Sequence, residues 1–250
     1  MTGSHSGHTH GGPGAGVEEI AAGHSAIHHL DPRAKIVGLI GLAIVSVSTP
    51  PGAWVAFAAY LAVLVALAVA AQLPLRYVLV RMTVEVPFLL AAAILPLTVP
   101  DGAVLGGTVA AKATIGVLAM VLLSSTTPFP RLLAGFERLG MPRVIVMIVA
   151  FMWRYLHVIG GEVHRAKIAR EARGYDPRWL WQTGAIARNI ATLFVRSLER
   201  GERVYLAMAS RGYRGGIPAA VSAPLELGRL DVAFAAALAA TLACVRVVLV

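Results

Sequence analysis

Cysteine and lysine are scarce in this sequence, with one cysteine and three lysines among 250 residues. Cys244 stands alone in an apolar C-terminal run, so the sequence has neither a disulfide framework nor a Cys-x-x-Cys metal site. Lys35, Lys112 and Lys167 each follow an alanine, whereas a Walker A loop needs Gly-Lys-Ser/Thr. If the protein works with ATP, another chain must therefore bind it.

Charged residues are also few, at 14% of the chain, while 57% of residues are hydrophobic and the mean hydropathy is +0.72. Such a composition indicates a membrane protein. The net charge of +9 comes from residues 131–214, which hold 15 basic and 6 acidic residues, while the other 166 residues hold 7 of each. A near-neutral apolar body is thus joined to one cationic block.

The apolar body predicts five membrane helices, at about 36–47, 53–71, 83–99, 103–123 and 232–250. The turns at 48–52 and 100–102 contain no Lys or Arg. The other connections carry basic residues, namely Arg33, Lys35, Arg76, Arg81, Arg131, Arg138 and Arg143. The positive-inside rule then predicts a multi-pass protein of the cell membrane whose N-terminus, 72–82 loop and 124–230 segment are cytoplasmic.

We therefore predict an all-α polytopic membrane protein with long amphipathic cytoplasmic helices. It has five transmembrane helices, or six if residues 144–159 also cross, although the short apolar stretch before Arg154 favours an interfacial helix. The predicted domains are a His/Gly-rich cytoplasmic tail (1–30), a four-helix transmembrane bundle (31–125), a cytoplasmic region (126–230) and a C-terminal transmembrane helix (231–250).

Two charged residues fall inside the predicted membrane helices, where charge is costly and often functional. Glu85 follows the predicted start of its helix by two residues, so we expect it near the cytoplasmic interface. Lys112 is about nine residues in from the opposite side, so we expect it inside the bundle or against a partner subunit. The difference in depth argues against a direct Glu85–Lys112 pair.

The cationic block predicts two long helices, at about 141–170 and 184–210, with the same ending. The first stops at Arg173-Gly174-Tyr175 and the second at Arg211-Gly212-Tyr213. A glycine caps a helix and an arginine favours its C-terminal dipole, so one such ending is a simple helix stop. Two of them indicate paired protrusions that place arginines in acidic clefts of a protein partner, because guanidinium binds carboxylate bidentately. Nucleic acid is not expected as a partner.

These features resemble the transmembrane T component of energy-coupling factor (ECF) transporters, most closely its cobalt-type CbiQ branch. The resemblance covers nearly everything after residue 24, from the His29–Lys35 segment through the two Arg-Gly endings to the closing apolar helix. It implies a non-catalytic coupling subunit in the lipid bilayer. Two ABC-type ATPases bind the ATP, and their closure is passed to a substrate-binding membrane subunit.

The resemblance also assigns roles to individual residues. It makes one ATPase contact at each ending, comprising Ala172, Arg173 and Gly174 in the first and Ser210, Arg211 and Gly212 in the second. Serine replaces the family's alanine at 210, but it is small and can hydrogen-bond its own helix, so docking should be retained. The family's N-terminal motif corresponds to Asp31, Pro32, Arg33 and Lys35.

Histidine is concentrated in the tail, which contains His5, His8, His10, His24, His28 and His29. Neutral imidazole binds cobalt, nickel and zinc, so these residues are candidates for transient contact with Co²⁺ or Ni²⁺. Gly/His/Ser tails without that role have the same composition, so both interpretations stay open. No resident cofactor is expected, and the transported substrate is expected to be Co²⁺, then Ni²⁺, then a vitamin.

Two functions of other classes remain as alternatives. One is a histidine-dependent intramembrane metalloenzyme that uses His28, His29 and Asp31, or His157 and His164. The other is a basic membrane scaffold for anionic lipids, in which arginines act in a graded way and lysine can replace them. The coupling function instead predicts that two arginine positions dominate.

Overall fold

The computed structural model describes residues 27, 30–174, 184–213, 228, 231–236, 238–240 and 243. The secondary structure over these ranges is helical, without strands. In chain order the elements are α1 (Pro32–Ser48), α2 (Trp54–Ala70), α3 (Leu75–Met82), a 3₁₀ turn (Thr83–Glu85), α4 (Val86–Thr98), α5 (Gly102–Thr126), α6 (Phe129–Arg138), α7 (Arg143–Glu171), α8 (Gly184–Ser210) and α9 (Asp231–Ala240).

The all-α membrane fold is confirmed. Three helical stretches in the described part of the chain are long and apolar enough to cross a membrane, namely Leu75–Thr98, Gly102–Thr126 and Arg143–Glu171. Helices α2 and α9 are apolar but shorter. The third stretch contains residues 144–159. The short apolar run of these residues favours a helix at the membrane interface. By length and composition that helix qualifies as a span, while the number of crossings remains a prediction.

The chain forms two compact units. The first comprises Met1–Gly140 and Ala223–Val250, and the second comprises Met141–Ser222. In the first unit α5 is central and contacts α1, α2, α3 and α4. Leu42, Tyr60, Leu64 and Ile115 are fully buried in the core that these helices share.

Glycine allows α4 and α5 to pack closely. Gly102 and Gly106 are separated by one helical turn on α5, and a Cβ at Gly106 would lie 2.5 Å from the carbonyl oxygen of Ala92 on α4. Small residues at this spacing are a common basis for close helix packing in membranes. Side chains larger than hydrogen at Gly106 would therefore force α4 away.

The third membrane helix begins earlier than predicted. Residues from Leu75 onward are helical, so Arg76 and Arg81 lie on α3 rather than in a loop. The Arg81 guanidinium lies 5.0 Å from the ring centre of Tyr77, one turn away. The 3₁₀ turn comes just before Pro87, which lacks an N–H and whose ring crowds the carbonyl four residues earlier.

This extension corrects the predicted position of Glu85. With the helix spanning Leu75–Thr98, Glu85 lies about 15 Å from one end and about 20 Å from the other. Its side chain is buried in the first unit and accepts a hydrogen bond from Thr114 Oγ1 at 2.5 Å. Lys112 Nζ donates instead to the Val47 carbonyl at 2.7 Å. Glu85 is therefore buried in the middle of the helical stretch rather than at its end, and Glu85 and Lys112 have separate partners.

Candidate functional site

The two Arg-Gly endings form the same turn. Helix α7 ends at Glu171 and α8 at Ser210, and Gly174 and Gly212 follow with φ of +71° and +78°. The Gly174 N–H donates to the Glu171 carbonyl at 2.8 Å, and the Gly212 N–H donates to Ala209 at 3.0 Å. Left-handed backbone favours glycine because it has no Cβ. Each Arg-Gly ending in the sequence therefore corresponds to a turn with a left-handed glycine.

Neither glycine is needed to make space. A Cβ at Gly174 or Gly212 would meet nothing within 4 Å. The requirement for glycine is thus conformational. The Ser210 hydroxyl donates to the Ala207 carbonyl at 3.0 Å, so the hydroxyl that replaces the family's alanine methyl is satisfied within its own helix.

Helices α7 and α8 run antiparallel within the second unit. Glu162 of α7 forms an ion pair with Arg200 of α8, and the Tyr213 hydroxyl contacts the sulfur of Met147 near the start of α7. From Met147 to Glu162 the contacts advance along α7, while from Tyr213 to Arg200 they go back along α8. Arg173 and Arg211 consequently lie at opposite ends of the helix pair.

Both arginines of the endings are exposed. The ion pairs described in this unit are Glu162–Arg200, Lys167–Glu171 and Arg203–Glu199, and none includes Arg173 or Arg211. Within the described ranges these two guanidinium groups therefore have no acidic partner in the chain. Their donors are available to carboxylates of another protein.

The N-terminal motif caps α1 and joins it to α9. The Asp31 carboxylate accepts the Arg33 N–H at 2.8 Å, and Pro32 occupies the first helical position. The Asp31 N–H donates to Asp231 Oδ1 at 2.6 Å, and Asp231 Oδ2 accepts the Gly228 N–H at 2.8 Å. Asp31 and Asp231 are both buried. The sequence marked Asp31 as part of a motif but did not indicate Asp231.

Lys35 joins the same region to the end of α5. Its side chain is 1% exposed, and Nζ donates to the Thr126 carbonyl at 3.0 Å and to Thr127 Oγ1 at 3.2 Å. The motif therefore ties the ends of α1, α5 and α9 together inside the first unit. Its geometry is that of an internal anchor rather than of an exposed contact.

Lys35→Met is expected to destabilise the protein by about 1.5–3 kcal/mol, the usual range for hydrogen bonds to a charged group. The substitution keeps the volume but leaves the buried Thr126 carbonyl and Thr127 hydroxyl without their charged donor. Thermal unfolding in detergent measures the loss. Lys167→Met is the control, because Lys167 is exposed and its ion pair is with Glu171 on the surface of its own helix. Equal effects of both changes would contradict the anchoring role.

Metal ligands are not brought together in the described part of the chain. No group of three or more His, Cys, Asp or Glu residues is placed there to hold a metal ion. His157 and His164 are exposed on α7, and His157 packs against Trp153 one turn away. The six tail histidines, from His5 to His29, lie outside the described residues.

Comparison with known proteins gives related sequences over most of the chain. The family model CbiQ, cobalt transport protein, matches residues 23–221. The cobalt transport protein CbiQ of Rhodobacter capsulatus is 32% identical over 82% of this chain and 88% of its own length. The energy-coupling factor transporter transmembrane protein EcfT of Listeria innocua is 24% identical over 78% of this chain and 83% of its own length.

Other matches cover a smaller part of the related protein. A putative ABC transporter ATP-binding protein of Bifidobacterium longum is 28% identical over 88% of this chain but only 32% of its own length. Four of the curated relatives are covered over less than half of their length, at 44%, 18%, 32% and 34%. In the Bifidobacterium longum protein, sequence like that of the present chain thus occurs within a larger protein.

Proposed function

This chain belongs to the CbiQ family of cobalt transport proteins, and from that membership we propose that it is the transmembrane coupling subunit of an ECF-type ABC importer. In this function Arg173 and Arg211 each dock on one of two ABC-type ATPases. The ATPases bind and hydrolyse ATP, and this chain carries their motion to a substrate-binding membrane subunit. The chain itself is non-catalytic.

The observation that carries the proposal is the placement of the two arginines. Each arginine is exposed beside a left-handed glycine, and neither has an acidic partner in the described residues. Each lies 11 residues beyond the Glu162–Arg200 contact, so the two ends are about 33 Å apart along the antiparallel pair. One cleft cannot hold both arginines over that length. Two separate acidic clefts, one on each ATPase, fit the spacing.

Related proteins support the partner class. Relatives carry the names energy-coupling factor transporter transmembrane protein and ABC transporter ATP-binding protein. In the second case sequence related to this chain occupies about a third of a protein named for ATP binding. Such a combination fits a chain that acts beside an ATPase.

For the substrate we propose Co²⁺, since the matching family and the Rhodobacter capsulatus relative are both named for cobalt transport. Nickel, or a vitamin, is the alternative substrate for the same coupling role. The six histidines of the tail would make transient contact with the metal before it enters the substrate-binding subunit.

Radioactive cobalt uptake into proteoliposomes tests this function. The complex is purified through a tag on this chain and reconstituted with ATP inside or outside the vesicles. We expect uptake that depends on ATP at the ATPase side, with nickel competing more weakly than cobalt and a vitamin not competing. Uptake without ATP would contradict the coupling role, and stronger competition by nickel would reassign the substrate alone.

A further inference from the structure

The two long helices of the second unit repeat each other in sequence at a separation of 38 residues. When the two Arg-Gly-Tyr endings are aligned, five positions of 162–175 are identical to their counterparts in 200–213: Arg165 and Arg203, Ala169 and Ala207, Arg173 and Arg211, Gly174 and Gly212, and Tyr175 and Tyr213. The repeat therefore extends at least 10 residues back from Tyr175 along α7 and from Tyr213 along α8.

Glu162 and Arg200 are also equivalent in this repeat, because they too are 38 residues apart. They are at the same time the residues that meet, with Arg200 Nη2 donating to Glu162 Oε1. Equivalent residues of two antiparallel helices meet only where a local two-fold axis passes between the helices. The Glu162–Arg200 ion pair thus lies on the pseudo-two-fold axis of the helix pair.

The two residues at the axis carry opposite charges, which is a departure from exact repetition. In an exact repeat both positions would carry the same residue, and two glutamates or two arginines at the axis would repel each other. The sequences of the two helices differ here, so that the contact is attractive. The other ion pairs described in this unit, Lys167–Glu171 and Arg203–Glu199, each lie within one helix.

The axis divides the helix pair into two arms of equal length. Arg173 is 11 residues beyond Glu162, and Arg211 is 11 residues beyond Arg200, about 16 Å along each helix. A change of the crossing angle at the ion pair therefore moves both arginine ends by similar amounts. The pair is also partly shielded, with the side chains of Arg200 and Glu162 29% and 15% exposed, so salt screens it less than a surface pair.

We propose that Glu162 and Arg200 are positioning residues that fix the crossing of α7 and α8 and so couple the movements of the two arginine ends. This inference rests on the proposed docking of Arg173 and Arg211 on two ATPases. With the ion pair intact, displacement of one arm by its ATPase is transmitted through the crossing to the other arm. Without it, each end can still bind its ATPase, but the arms move independently.

Charge reversal and charge exchange at the axis test the proposal. The variants are Glu162→Arg, Arg200→Glu and the double exchange, with Glu162→Gln as a milder change that keeps the shape. Nitroxide labels at Ala169→Cys and Ala207→Cys, in a Cys244→Ser background, report the separation of the arms by pulsed electron spin resonance. Both label sites are exposed and equivalent in the repeat. Cobalt uptake per ATP hydrolysed is measured on the same complexes.

Each single reversal is expected to broaden the label distance distribution and to reduce uptake per ATP at least tenfold while the ATPases still co-purify. The double exchange is expected to restore both quantities to within twofold of the starting protein. Glu199→Arg is the matched control, since Glu199 directly precedes Arg200 and its exposed ion pair with Arg203 lies within α8. It should change neither quantity.

Several results would overturn the inference. They are unchanged distances and uptake in the single variants, failure of the exchange to restore them, or an equal effect of Glu199→Arg. If a single reversal does not yield folded protein, Glu162→Gln and the double exchange decide the question by the same readouts. If the starting protein binds no ATPase, the proposed function fails, while the label distances still show whether the ion pair fixes the crossing.

Discussion

Simultaneous replacement of Arg173 and Arg211 by glutamate is expected to abolish co-purification of the ATPases and ATP-dependent cobalt uptake. Each glutamate would face an acidic cleft in place of a guanidinium that binds carboxylates bidentately. Truncating one partner of a docked charge pair typically costs about 2–5 kcal/mol, which is about 30-fold or more in affinity at each end. Because both ends change, the losses multiply. Affinity purification followed by quantitative mass spectrometry measures the retained ATPase.

The matched control replaces two other exposed arginines of α8, Arg188 and Arg196, by glutamate. This variant changes the net charge by the same amount but leaves both Arg-Gly endings intact. We expect the ATPases to be retained. Equal loss of ATPase in the control would favour the graded polybasic scaffold and would contradict the dominance of two positions. Lysine at 173 and 211 should restore only part of the binding, because lysine has no planar fork.

The glycines of the endings are expected to matter nearly as much as the arginines. Gly174→Ala or Gly212→Ala places a Cβ on backbone with φ of +71° or +78°, which costs about 1–2 kcal/mol in left-handed backbone. Because the space around both positions is open, the cost is conformational. The turn that presents the neighbouring arginine is then less populated, so ATPase binding at that end should weaken about 5–30-fold. Biolayer interferometry with the isolated ATPases measures this change.

Gly160→Ala provides the comparison for the glycine variants. Gly160 lies inside α7, and a Cβ there also meets nothing within 4 Å. Alanine favours an ordinary helical interior by up to about 1 kcal/mol over glycine. We expect ATPase binding to be unchanged in this variant. A loss as large as that of Gly174→Ala would mean that the left-handed turn is not what the partner requires.

Local sequence signals predicted the helices of the second unit well. The end of α7 before Arg173-Gly174 and the bounds of α8 at Gly184–Ser210 agree with the prediction. A glycine cap acts through the backbone of its own turn, so its effect can be predicted without knowledge of the tertiary structure. The overall helical membrane fold followed in the same way from long apolar runs.

The start of the third membrane helix was mispredicted for a physical reason. Arg76 and Arg81 predict a connecting loop because basic residues indicate the cytoplasmic side of a span. Charge reports the side of the membrane but not the residue at which a helix begins. Helix α3 accommodates Arg81 over the ring of Tyr77. Extending the helix by these residues moved Glu85 from an end to the middle.

Contacts between distant residues could not be predicted from one sequence. Asp31 is recognisable as a helix N-cap, but its contact with Asp231 joins residues 200 positions apart. Lys35 likewise reaches the end of α5, 91 residues away, through Thr126. These partners are set by how the helices pack. Glu162 and Arg200 differ, because their equal spacing before the two endings is a signal within the sequence itself.

Native mass spectrometry of the purified complex tests most directly the claim that each Arg-Gly ending docks one ATPase. We expect two ATPase chains per copy of this chain in the unsubstituted complex. We expect one ATPase chain in Arg173→Glu, one in Arg211→Glu, and none when both are replaced. Two ATPases retained in either single variant, or loss of both in each of them, would contradict it.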